Sequence, residues 1–182
     1  MRRGGPLHIF AAALERIAVA LTDLLAVIVS VLLSALASVV LWQVISRYVV
    51  GEPSVATEDL VQILLPWFGL LGAAWTFRMK GQLAVEFLST LLHGEMLLVV
   101  TVAVDILILF FALVVMAWGG SEYSFERLSR GQLTEILDFP VGYIYMAVPV
   151  GGLLIALFAL SDIVAILRGA KPASGPDRGG AL

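Results

Sequence analysis

The chain has no cysteine and only two histidines, His8 and His93, among its 182 residues. The first absence excludes disulfides, thiolate metal sites and thiol nucleophiles. The second removes the usual axial ligands of a membrane haem, because both histidines lie outside the long apolar runs. Charge is scarce too. Asp, Glu, Lys and Arg make up 14% of the chain, against about 25% in an ordinary soluble domain. The formal net charge of −3 offers nucleic acid no electrostatic footprint. A phosphate-cradling glycine loop, a metal-ligand cluster and a nucleophile–base constellation are all missing, and the carboxylates do not converge at a two-carboxylate spacing. Neither an enzyme nor a cofactor is expected.

What the chain has instead is hydrophobic residues, 60% of the total. One water-soluble core cannot hold that surplus, so much of it must face lipid. A bilayer core about 30 Å thick needs about 20 apolar residues in a helix. Four stretches qualify, at about 21–45, 60–77, 96–118 and 143–167. The fold class is therefore an all-α integral membrane protein of four transmembrane helices, forming one domain over 1–168. Residues 169–182, rich in Gly, Pro and Ala, read as a disordered tail. The first stretch follows Arg2 and Arg3, and Ala35-Leu36-Ala37 resembles a cleavage site. Its apolar run continues to Ile45, which suits a span better than a signal peptide.

Lys and Arg near helix ends set orientation. With four spans, Arg2, Arg3, Arg16, Arg78, Lys80, Arg168, Lys171 and Arg178 share one side. Only Arg47, Arg127 and Arg130 lie on the other. Both termini are expected to be cytoplasmic.

Between the second and third spans, Ala84, Phe87, Leu88, Leu91 and Leu92 recur at helical spacing. They predict a short amphipathic helix over about 82–92, lying at the membrane interface; the alternative is an extension of the third span. Gly51-Glu52-Pro53-Ser54 is turn chemistry. Glu58 and Asp59 then suit the positive end of the second helix, or Glu58 pairs with Arg47 or with a partner subunit. Ser121 to Arg130 prolongs the third helix beyond the bilayer.

Within the spans, Ser30, Ser34 and Ser38 follow Ala26 at four-residue spacing and predict a helix-packing seam. Pro66 with Gly69, and Pro149 with Gly151 and Gly152, predict kinks with close packing; interrupted helices of this kind also occur at transporter substrate sites. Asp105 lies within the third span, where a carboxylate is costly. It is open to three readings: a hydrogen bond to Ser30 or Ser34, exposure at the cytoplasmic boundary, or a proton or cation relay. Asp23 and Asp162 lie near cytoplasmic helix ends.

Several of these residues, in order, resemble a known family. Ser46-Arg47-Tyr48-Val49 closes the first helix and Glu58 opens the second. Trp67-Phe68-Gly69-Leu70-Leu71-Gly72-Ala73-Ala74, Arg78 and Gly81-Gln82-Leu83-Ala84-Val85-Glu86 follow, then Phe139-Pro140, Tyr143, Pro149 and Gly151. This pattern, over about 17–167, resembles the small permease (Q) subunit of tripartite ATP-independent periplasmic (TRAP) transporters. The resemblance implies a bacterial inner membrane location and two partners, a large permease (M) subunit and a periplasmic substrate-binding (P) protein. It also implies carboxylate uptake coupled to sodium through the large subunit, with the small subunit as scaffold. Arg47, Glu58, Trp67, Arg78, Gln82, Glu86, Pro140, Tyr143 and Pro149 become candidate structural or subunit-interface positions. Gln82 stands where many relatives have histidine, and Glu86 near their common aspartate. The rival reading is a self-sufficient oligomeric transporter or channel using Asp105.

Overall fold

A computed structural model describes residues 6–51, 55–91 and 95–168, with side chains for 12–49, 51, 56–79 and 96–168. The first span lies in α1 (Pro6–Ile45), which runs into a π-helical turn at Ser46–Val50. Gly51 ends it at φ +81°, the left-handed conformation that glycine adopts most readily. The second span opens α2 (Val55–Leu91). The third is α3 (Glu95–Phe111), which passes through π-helical Ala112–Gly119 into α4 (Gly120–Ser129). The fourth is α5 (Val141–Tyr145) followed by α6 (Ala147–Leu167).

Among the described residues, four helices are long and apolar enough to cross a membrane: Ala12–Val49, Ala56–Met79, Met96–Ser129 and Val141–Leu167. Each contains the corresponding stretch expected from the sequence. Residues 82–91 are helical as expected, but they continue α2 without a break instead of forming an element of their own. Their side chains, residue 92, the turn at 52–54 and the tail 169–182 lie outside the described residues.

Pro66 sits inside an unbroken α2. The fourth span does break, at Met146 between α5 and α6. Pro149 has no N–H to give the Tyr145 carbonyl, so one helical hydrogen bond is missing there, and the ladder resumes where Val150 N donates to Met146 O at 3.2 Å.

The fourth span is the hub, with α6 packing on α1, α2 and α3. Ala18, Leu25, Leu71, Ala74 and Phe158 form the buried core that joins α1, α2 and α6. Small residues permit the closest approaches. A Cβ on Gly152 would lie 2.9 Å from Ala112 O and 3.1 Å from Ala117 N, and one on Gly151 3.2 Å from Leu70 Cβ. The π segment of the third span is thus where the fourth presses against it.

These contacts fix a register. Leu70, Gly151, Gly152 and the 112–117 segment lie at one level. At 1.5 Å per helical residue, Arg78 and Asp162 lie about 12–15 Å to one side of it and Asp59 and Tyr143 about 12–16 Å to the other. That separation matches the hydrocarbon thickness of a bilayer. The first rim, where α1 begins and α6 ends, is called the terminal rim below. The second, the loop rim, carries Trp42, Tyr48, Tyr123, Tyr143 and Tyr145, residues of the kind that anchor helices at membrane interfaces.

Candidate functional site

Two polar constellations mark the two rims. At the terminal rim, Arg78 of α2 donates to and pairs with Asp162 of α6. Their side chains are 21% and 29% exposed, so the pair is shielded in part by the bundle. Asp105 of α3 feels the like charge of Asp162. It shares the face that carries Thr101 and Ala112, both buried. Asp105 thus stands on the same side of the bundle as the Arg78–Asp162 pair. Asp105 does not bond to the serines of α1. Ser30 donates to Ala26 O and Ser34 to Ser30 O, each within its own helix. Asp105 is itself half-buried, near the level of the terminal rim.

The serine row is not a seam inside this chain. Ser30, Ser34 and Ser38 are exposed and line a shallow groove with Val31 and Ala35. Each hydroxyl is satisfied by the carbonyl one turn back and leaves no hydrogen-bonding demand on a neighbour.

At the loop rim, Asp59 is buried and does more than suit a helix dipole. Its Oδ2 accepts hydrogen bonds from Ile136 N and Leu137 N, both at 2.9 Å. The segment it holds is closed on itself. Thr134 N donates to Phe139 O at 2.9 Å, Phe139 N to Thr134 Oγ1 at 3.1 Å, and Val141 N to Gln132 O at 2.9 Å. Gly131 and Asp138 turn the chain at positive φ, +63° and +49°; aspartate is among the few non-glycine residues that tolerate this. Arg127 donates to Gln132 and Tyr123, and its guanidinium lies 4.8 Å from the Tyr123 ring centre and 5.9 Å from that of Tyr145. Tyr123 and Tyr145 meet edge to face at 5.0 Å. α4 and α5 close tightly, since a Cβ on Gly142 would lie 2.8 Å from Ser124 O.

The expected site residues are distributed over this frame and do not converge on one centre. Arg47 and Glu58 are both exposed and form no ion pair among the described residues, so the expected bridge across the first loop is not made. Trp67 packs on the core. Arg78 takes Asp162. Pro140 precedes α5 and bridges to Leu133. Tyr143 is exposed and lies 6.0 Å from Phe139, ring centre to ring centre. Pro149 lies against Gly120. Gln82 and Glu86 fall in the backbone of α2, with side chains outside the described residues. Sequence reasoning missed the tether role of Asp59, the part of Asp162 as the partner of Arg78, and the Arg127–tyrosine stack. The four-residue spacing of Tyr123 and Arg127 was a local signal for the last. The other two join residues far apart in the chain.

Comparison with known proteins agrees with this frame. Residues 36–169 match the family described as tripartite ATP-independent periplasmic transporters, DctQ component. A relative, the sialic acid TRAP transporter small permease protein SiaQ of Vibrio cholerae serotype O1, is 22% identical over 134 residues, covering 71% of this chain and 73% of the relative. With four helices fit to span a membrane and most of its length matched, the chain belongs to the DctQ family, the small permease subunits of TRAP transporters.

Proposed function

We propose that this small permease subunit is a static scaffold for the large permease subunit of an organic-acid importer in the bacterial inner membrane. A periplasmic substrate-binding protein delivers the carboxylate substrate. Sodium coupling and the transport site reside in the large subunit. Both termini face the cytoplasm, as the bias of Lys and Arg toward that side supports.

The observation that carries this reading is how the chain uses the polar groups within its spans and at their rims. Arg78 and Asp162 tie two helices together, and the serines of α1 bond to their own backbone. The apolar surface, by contrast, is left open. Val27, Val31 and Leu41 on α1 and Leu107 and Phe110 on α3 are more than half exposed. Such a body suits packing against lipid and another membrane protein better than conducting a solute through itself. Mechanically, it widens the rigid part of the complex against which a moving transport domain works.

The test is uptake into proteoliposomes containing the large subunit and the binding protein, with and without this chain. Uptake that requires the chain, persists with Asp105→Asn, and vanishes when the large subunit is omitted supports the scaffold. Uptake by this chain alone contradicts it.

A further inference from the structure

The loop between the third and fourth spans combines two properties. Its backbone is fastened at several points, and four of its side chains are large, apolar and uncovered, beside the exposed carboxylates of Glu135 and Asp138. Leu133, Ile136, Leu137 and Phe139 are 52%, 44%, 43% and 36% exposed. In water, so dense a group of bare apolar side chains on one short loop would be unfavourable. The fastening also prevents the loop from collapsing over them. Asp59 holds the Ile136 and Leu137 amides, Thr134 and Phe139 are doubly bonded, and Leu133 bridges to Pro140.

The tether also fixes depth. Asp59 lies in the first turns of the Ala56–Met79 span, at the loop rim of the bundle. A residue whose amide binds the Asp59 carboxylate is at that same level, where hydrocarbon gives way to headgroups. Helix α4 leads away from the bilayer, and the chain turns at Gly131 and returns to this level before α5 begins. Neighbouring groups at the rim are suited to the same zone. Tyr143 lies beside Phe139, and Tyr123 and Tyr145 surround Arg127, as amphipathic rings do at headgroup level.

We propose that the 133–139 loop is a membrane-interface foot. Its apolar side chains enter the headgroup–acyl boundary of the leaflet at the loop rim, and Asp59 holds it there. The occupant of this surface is lipid, because the surface continues the apolar girdle of the bundle at the depth where the bilayer ends. The foot requires only that the four helices span the membrane and does not depend on the scaffold reading. It would fix the height and tilt of the fourth span, which begins immediately after the loop.

The lack of cysteine makes the test direct. In the full chain reconstituted into phosphatidylethanolamine–phosphatidylglycerol nanodiscs, single cysteines replace Leu133, Ile136, Leu137 or Phe139 and carry a nitroxide. Leu107→Cys, on the lipid-facing flank of α3, and Arg130→Cys, at the end of α4, calibrate the scale. The readout is collision with oxygen, which concentrates in lipid, against collision with a water-soluble nickel chelate. The expected result is an oxygen-to-nickel ratio severalfold above that of Arg130→Cys at Ile136 and Leu137, with Leu133 and Phe139 following the same direction. Adding Asp59→Ala should move the labels toward the Arg130→Cys value. If all four positions match Arg130→Cys, the loop stands in water and the proposal fails. If neither probe reaches them, protein covers the surface and the lipid assignment fails. An unchanged ratio with Asp59→Ala overturns the tether.

Discussion

Arg78 and Asp162 join α2 to α6 at the rim where α1 begins and α6 ends, and Asp105 adds a second carboxylate on the same side of the bundle. Removing one partner of such a pair leaves an unmatched charge at the edge of a low-dielectric region, whereas removing both leaves none. Arg78→Met alone should therefore lower stability by about 1–3 kcal/mol, and more than the double variant Arg78→Met/Asp162→Leu. Thermal unfolding in one detergent checks the order. Adding Asp105→Asn to Arg78→Met should recover part of the loss, because it removes the repulsion that the guanidinium offsets.

The two ends of the second span show what could be read from sequence and what could not. The number of spans followed from apolar run length alone, because hydrocarbon demands it. The pairing of Arg78 with Asp162 and of Asp59 with the 136–137 amides did not, because each joins residues about eighty positions apart. Helical periodicity reports which residues share a face of one helix and says nothing of what that face meets. The serine row of α1 illustrates the same limit. Four-residue spacing correctly placed the hydroxyls on one face, and that face turned out to be open and satisfied by its own backbone. The π segment at Ala112–Gly119 left no signal in composition; it is visible only with Gly152 against it.

Amide exchange reads the Asp59 tether residue by residue. In Asp59→Ala, the amides of Ile136 and Leu137 lose a charged acceptor, an interaction worth about 1.5–3 kcal/mol. Their exchange should accelerate by one to two orders of magnitude at roughly 1.4 kcal/mol per tenfold, while the amides of α6 stay protected. Asp59→Asn keeps an acceptor oxygen and should fall between. Equal acceleration across the fourth span would mean that the carboxylate holds the whole bundle and not the loop.

Glycines should divide sharply by position. Gly152→Ala forces a methyl to within 2.9 Å of the Ala112 carbonyl, and Gly142→Ala to within 2.8 Å of the Ser124 carbonyl. Overpacking of this kind costs about 1–3 kcal/mol. Gly69 has open space where its Cβ would be, so Gly69→Ala should instead gain up to about 1 kcal/mol of helix propensity. Melting temperatures of the three variants, measured side by side, check the order. A Gly69→Ala loss as large as that of Gly152→Ala would contradict the packing described.

Asp105 separates the scaffold from a self-sufficient transporter. If the carboxylate belongs to the charge balance of the terminal rim, Asp105→Asn leaves uptake by the assembled complex unchanged and alters stability at most. Abolished uptake in a complex that still assembles would place Asp105 on a transport path.

Isolating this chain from its native membranes shows whether it works as the small partner of a large permease. The tagged full chain would be captured in mild detergent and its companions identified and quantified by mass spectrometry. The expected companion is a large multi-spanning permease in stoichiometric amount. Recovery of the chain only with itself, when that permease is present in the same membranes, would contradict that role.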